Sequence, residues 1–279
     1  MHFDVRPLSE HMIKPVHNFS GDELVAENDY KQAIFAGYVS TVSTLYGAAV
    51  GHKIDLTTDT FERWKRITSS AGLIDDAIDD GPTKQVDLAV YLQQTDASSE
   101  SMPPTNISQS HNLSVAGALL KNCTEGMSES QIIRLQNAAH KIGLVALAKN
   151  NCSELDSYKK LLLEESLATA ALIYESPDAS VRNQTGYSQF IEWCIYSFAF
   201  ATFVDSGRDL RRDYKNEITK VSPTLGNSTI LFNQALLYAR HLYKQKDQLK
   251  ASMSAIRYRS RYSKMPTKRT MKKYKKQLV

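Results

Sequence analysis

The chain has 279 residues and a mass of 31.3 kDa, enough for one large domain with a substantial core. With 42% hydrophobic and 23% charged residues it is excluded from the disordered and fibrous classes, and no apolar run reaches the ~20 residues that a membrane-spanning helix needs. The net charge of +4 is unevenly spread: residues 257–279 hold ten Lys/Arg and no acid, and taking those ten from +4 leaves −6 for the rest.

Helical periodicity dominates and alternating strand-like segments are scarce, so the expected class is all-α. Residues 1–28 read as an N-terminal arm. A first helix is expected over 29–50, with Ala33, Tyr38, Val42, Leu45 and Ala49 able to face a core. In the next helix Phe61, Trp64, Ile67, Ala71, Ile74 and Ile78 recur in steps of three and four and define one apolar face. At ~100° per residue, Asp75 and Asp79 fall on the flank of that face, whereas Asp76 and Asp80 point nearer the opposite side. Gly81-Pro82 ends this helix and leaves the acids in its last turn. A helix C-terminus is already partly negative, so the placement is unfavourable unless a cation sits there.

Residues 94–111, rich in Ser, Pro and Thr, read as a long loop, and helices are expected over 113–122, 128–149 and 152–174. After a break at 177–186 comes the most hydrophobic helix, 187–213, apolar nearly all round from Phe190 to Val204 and changing character abruptly at Asp205. Asp205, Asp209 and Asp213 follow at i, i+4 and i+8. They drift only ~40° per step and so share one side. A loop is expected over 214–227 and one further helix over 228–256, followed by the basic tail 257–279.

Two remote acidic clusters, each following an apolar helical stretch, call for a cationic partner, most simply a hard divalent metal bound through oxygen. Ile74-Asp75-Asp76-Ala77-Ile78-Asp79 matches a DDxxD motif, and Asp205-Ser206-Gly207-Arg208-Asp209-Leu210-Arg211-Arg212 matches DxGxDxRR. On these motifs the chain resembles the class I isoprenoid (terpenoid) synthase superfamily, closest to squalene/phytoene-synthase-like enzymes and terpene cyclases.

The resemblance implies a single-domain antiparallel helical bundle over 29–256 with a central apolar cavity. It also implies Mg2+, three ions, held by Asp75, Asp76, Asp79, Asp205, Asp209 and Asp213, with Asp75, Asp79, Asp205 and Asp209 as the catalytic set. Lys159, Lys160, Arg208, Arg212, Arg257 and Tyr258 would contact the diphosphate, and Phe198, Phe200 and Phe203 are candidates to line the cavity. The implied reaction is ionisation of a linear prenyl diphosphate, farnesyl or geranylgeranyl, followed by cyclisation or quenching of the cation. Head-to-head condensation of two such substrates is the alternative within the same chemistry. The paired arginines and second DDxxD of chain-elongating enzymes are missing, which counts against elongation.

A different class of reading is a non-catalytic helical binding protein whose basic tail contacts RNA or lipid. For the enzyme no nucleic-acid partner is expected, and the tail is a site of peripheral membrane contact. Cys123, Cys152 and Cys194 have neither CxxC nor Cys/His ligand spacing. With no basic-then-apolar leader pattern at the N-terminus, the expected compartment is the reducing cytoplasm.

Overall fold

The computed structural model describes residues 38–79, 116, 119–121 and 123–262, with the backbone alone at 38–40, 69, 72–79 and 256–262. The arm, the expected loop 94–111 and the tail beyond Tyr262 lie outside the described residues. Among those residues the regular elements are all α-helices, with no strand, in agreement with the all-α expectation.

In chain order the helices are α1 (Tyr38–Gly51), α2 (Thr58–Asp79), α3 (Glu129–Asn151), α4 (Leu155–Glu175), α5 (Ala179–Arg182), α6 (Tyr187–Lys215), α7 (Leu225–Lys244) and α8 (Lys246–Tyr262). Local chemistry fixes several starts. The Ser128 hydroxyl accepts from the Gln131 amide ahead of α3, and the Thr224 hydroxyl accepts from the Asn227 amide ahead of α7, each satisfying a donor that the first helical turn leaves unpaired.

The 29-residue α6 is the central element and packs on α7, α4 and α1. Its first half buries Phe190, Trp193 and Cys194 in the main core with Leu45, Trp64 and Leu172, and Trp64 of α2 stacks on Phe190 at 5.5 Å between ring centroids. Its second half joins a separate core in which Phe203 and Leu210 meet Tyr158 and Leu162 of α4 and Leu231 and Ala235 of α7.

The expected single helix over 228–256 is corrected: it is two helices. Gln245 adopts a non-helical φ of −103° and ψ of 59°, and the break lets α8 pack along α1. There the Ser252 hydroxyl donates to the Thr44 carbonyl at 3.1 Å. Helix α8 also carries the chain through Tyr262, so the boundary expected at residue 257 falls inside a helix.

A buried polar knot ties the start of α2 to the α4–α5 turn. Arg63 donates to the Ser176 carbonyl at 3.1 Å, to Asp178 Oδ1 at 2.7 Å and to the Glu125 carbonyl at 3.0 Å. Burying a guanidinium is costly unless its donors are matched, and these three acceptors match them. All three cysteines are free, and burial pushes the Cys123 thiol up to about 12. Among the described residues no helix is long and apolar enough to cross a membrane.

Two stability predictions follow from this packing. At Gly47 a Cβ would lie 2.5 Å from the Ser252 Cα, a backbone atom that cannot swing aside. Gly47→Ala is therefore expected to cost about 1–3 kcal/mol, read as a lowered denaturation midpoint; an unchanged midpoint would refute the close approach of α1 and α8. Burial also lowers the His52 imidazole from 6.5 to about 4, with the ring edge-on to Phe190. A depressed histidine leaves the unfolded chain binding the extra proton, so stability present above pH 6.5 is lost as pH falls towards 4. In His52→Asn the thermal midpoint should fall less steeply across that window than in the wild type, and parallel curves would count against the buried neutral ring.

Candidate functional site

The side of α6 that carries Gly207 and Leu210 is held against its neighbours. The Phe232 ring of α7 approaches so closely that a Cβ on Gly207 would meet it at 3.3 Å, and Leu210 is fully buried. This packing fixes the rotation of α6 and thereby the direction of its aspartates. Their exposure falls along the chain: the side chain of Asp205 is 63% exposed, Asp209 18% and Asp213 14%.

The charge problem posed by three carboxylates at a helix C-terminus is met within the helix itself. Arg208 Nη2 stands 2.8 Å from Asp205 Oδ1 and 2.7 Å from Asp209 Oδ2, while its Nε donates to Asp209 Oδ1 at 3.0 Å. Arg212 lies 3.4 Å from Asp209 Oδ2 and donates from Nε to Asp213 Oδ1 at 2.9 Å. Each guanidinium thus spans two aspartates, forming a ladder of alternating sign over two helical turns. Arg208 and Arg212 thus supply two positive charges to the three carboxylates from within the helix. Its hydrogen bond to Asp209, with the nearby Asp205 charge, holds the Arg208 guanidinium still more firmly protonated than usual.

Asp213 reaches a polar group that helical spacing does not reveal. Burial pushes its carboxyl above the usual range, against the downward pull of Arg212 and Lys149. Lys149, from the last turn of α3, pairs with Glu165 of α4 at 2.7 Å, and the buried Tyr158 hydroxyl is hydrogen-bonded to Ser206. Burial is the main cause that raises the Tyr158 phenol, which also feels Lys149, Asp213 and Glu165. Tyr158, Leu162, Glu165 and Ser166 share the α4 side turned to α6, and Ser166 Oγ lies 3.4 Å from Thr202 Oγ1.

The remaining expected site residues are distributed differently. Asp75, Asp76 and Asp79 occupy the last two turns of α2, but their side chains lie outside the described residues, as does their relation to Asp205 and Asp209. Lys159 is turned to Asp156 at 2.8 Å and Lys160 is exposed. Arg257 and Tyr258 sit on α8, with side chains outside the described residues. Phe203 packs against Tyr238 in the α6–α7 core, and Phe198 and Phe200 are half-buried against the main core.

A cleft of about 610 Å³ opens at the other end of α6, lined by His52, Lys53, Asn183, Gln184, Gln189 and Gln248 among others. Its one lining residue on α6, Gln189, lies about 24 Å along the helix from Asp205 at 1.5 Å per residue.

Magnesium is the ion that the two motifs imply. Carboxylate oxygens are the donors such a hard cation takes, and Asp205 and Asp209 stand one turn apart on one side of α6, so the chemistry of this donor set fits. Among the described residues no group of three or more His, Cys, Asp or Glu converges as a metal site. Occupation at Asp205 and Asp209 therefore requires Arg208 to turn away.

Because the Asp213 carboxyl is raised, the folded state favours its protonated form, and stability falls as pH rises through the carboxylate range. Asp213→Asn is expected to gain stability relative to the wild type at neutral pH, with the gap closing well below pH ~4. Calorimetric midpoints of both proteins across that range check this, and a constant gap would show that burial does not govern Asp213. Compared with known proteins, the chain gives no significant match to any family model, curated protein or solved structure.

Proposed function

We propose that this chain is a magnesium-dependent enzyme that ionises a linear prenyl diphosphate, with Asp205 and Asp209 on α6 and Asp75 and Asp79 on α2 as its two acidic walls. The observation that carries the reading is the ladder at the end of α6: aspartates aligned on one side, interleaved with guanidiniums, at the end of an apolar helix. The arginines suit two states. They neutralise the acids when no ligand is present, and a planar guanidinium donates well to phosphate oxygens when it turns away.

Magnesium at those carboxylates would supply fixed positive charge for the departing diphosphate. The chain's own part is to orient the acids by the packing of Gly207 and Leu210, to offer Arg208 and Arg212 to the diphosphate oxygens, and to keep water from the reacting carbon with apolar helix faces. Termination as a single-substrate terpene is favoured over head-to-head condensation.

A second reading is favoured by one feature of the same ladder. Each of its aspartates already contacts an arginine, as in a purely structural surface network, which fits a non-catalytic helical binding protein. One experiment separates the two. The full chain is incubated with geranyl, farnesyl or geranylgeranyl diphosphate, with magnesium or with chelator, and products are identified by mass spectrometry. The enzyme reading expects magnesium-dependent diphosphate release, reduced about 10²-fold or more in Asp209→Asn and Asp75→Asn. Doubled hydrocarbon products would shift the assignment to head-to-head condensation, whereas no release from any substrate would favour the binding protein.

A further inference from the structure

We infer that the outward face of α7 is a docking surface for an anionic lipid bilayer. A helix lying on a soluble domain normally presents a polar face to water. Helix α7 buries Leu231, Ala235 and Leu242, yet on its outward side large apolar residues flank a polar centre of Thr229, Asn233, Arg240 and Lys244: Leu225 is 85% exposed, Tyr243 64% and Leu236 56%, and Ile230, Leu237 and Phe232, whose ring also packs on Gly207, are exposed too. Large apolar side chains exposed together along one 20-residue helix are unlike the scattered single residues of ordinary surfaces.

Charge identifies the occupant. Helix α7 contains no Asp or Glu, and its C-terminal third carries Arg240, His241 and Lys244, with Lys246 following at the start of α8. Lys246 lies over the Tyr243 ring at 4.8 Å, which places a cation at the rim of the apolar face. A second copy would bring its own basic face against this one, which like-charge repulsion opposes.

The width of the face separates a bilayer from a partner helix. Leu225, Tyr243, Leu236 and Phe232 fall within about 40° of one another around the helix and would suit a helix-sized seam. Leu237 and Ile230 lie about 120° and 140° from Leu225, outside any such seam, and Arg240 and Lys244 lie between, at about 60° and 100°. In a seam those two cations would be buried. At a bilayer surface their stems lie along the apolar boundary while the charged heads reach phosphate groups. The inference is independent of the diphosphate chemistry, because it uses none of the residues assigned to it.

The test is co-sedimentation of the full chain with vesicles of phosphatidylcholine alone or mixed with phosphatidylserine. The basic residues 257–279 stay intact in every variant, so their contribution is constant. The wild type is expected to bind the mixed vesicles, and the L236N/L237N variant to bind about tenfold more weakly. R240Q/K244Q should lose about fivefold per charge removed. Both pairs are exposed, and an unchanged thermal midpoint confirms folding. Binding by L236N/L237N equal to the wild type would overturn the inference and assign attachment to the tail, as would no binding by the wild type. A wild-type dimer without vesicles that L236N/L237N converts to monomer would overturn it in favour of an interface between copies.

Discussion

Three aspartates on one side of a helix end create the constraint to which the rest of this structure answers. Asp205, Asp209 and Asp213 repel one another as neighbours one turn apart, and Asp213, in the last turn of a 29-residue helix, also meets the negative partial charge of its carbonyl end. Arg208 and Arg212 relieve both terms together, since each lies between two carboxylates. Because those arginines point outward, the other side of α6 is free to remain apolar, and Phe203, Gly207 and Leu210 fill the contact with α4 and α7. Had the counter-charges come from a neighbouring helix, α6 could not have packed so closely there.

The opposite end of α6 is organised by contrasting means. Its first turn holds no acid and its N-cap Gly186 makes no side-chain hydrogen bond. Gly186 instead lies directly against the His52 carbonyl, an approach that any Cβ would prevent. Around it Trp64, Phe190 and a neutral His52 form an aromatic seat, and the Arg63 knot joins α2 to the end of α4 nearby. One end of the central helix is thus fixed by shape and burial and the other by charge, and acid acts on them in opposite senses. At the first, His52 gains a proton that burial resists. At the second, burial favours the protonated form of Asp213.

What the sequence made legible follows from the range of the interactions involved. Helix α6 was readable because its apolar run is long and its change at Asp205 is abrupt, and the ladder was implicit in an i, i+3 pattern that needs no tertiary partner. The division between α7 and α8 was not readable, because Gln245 is neither Gly nor Pro and its break is imposed by the packing of α8 on α1. Nor was the group around Asp213. Lys149, Glu165 and Tyr158 come from two other helices, and although Tyr158 stands beside Lys159 in sequence, only the rotation of α4 turns the phenol inward and leaves Lys160 outside. Nor does the sequence show that α7 leaves Leu225, Leu236, Leu237 and Tyr243 exposed, because exposure depends on which side of the helix meets α6.

The gradient of exposure along the ladder gives its rungs unequal strength. The Asp205–Arg208 contact, between two well-exposed side chains, is worth no more than about 1 kcal/mol, since water solvates either partner nearly as well when it opens. Asp209 and Asp213 are largely withdrawn from water, so losing their arginine contacts would leave carboxylates poorly solvated, at a higher cost. Opening of the ladder therefore begins most easily at Asp205 and meets rising resistance towards Asp213. Asp213 is better suited to anchoring Arg212 beside Lys149 and Tyr158 than to releasing it. The ladder thus has a labile outer rung and a fixed inner one.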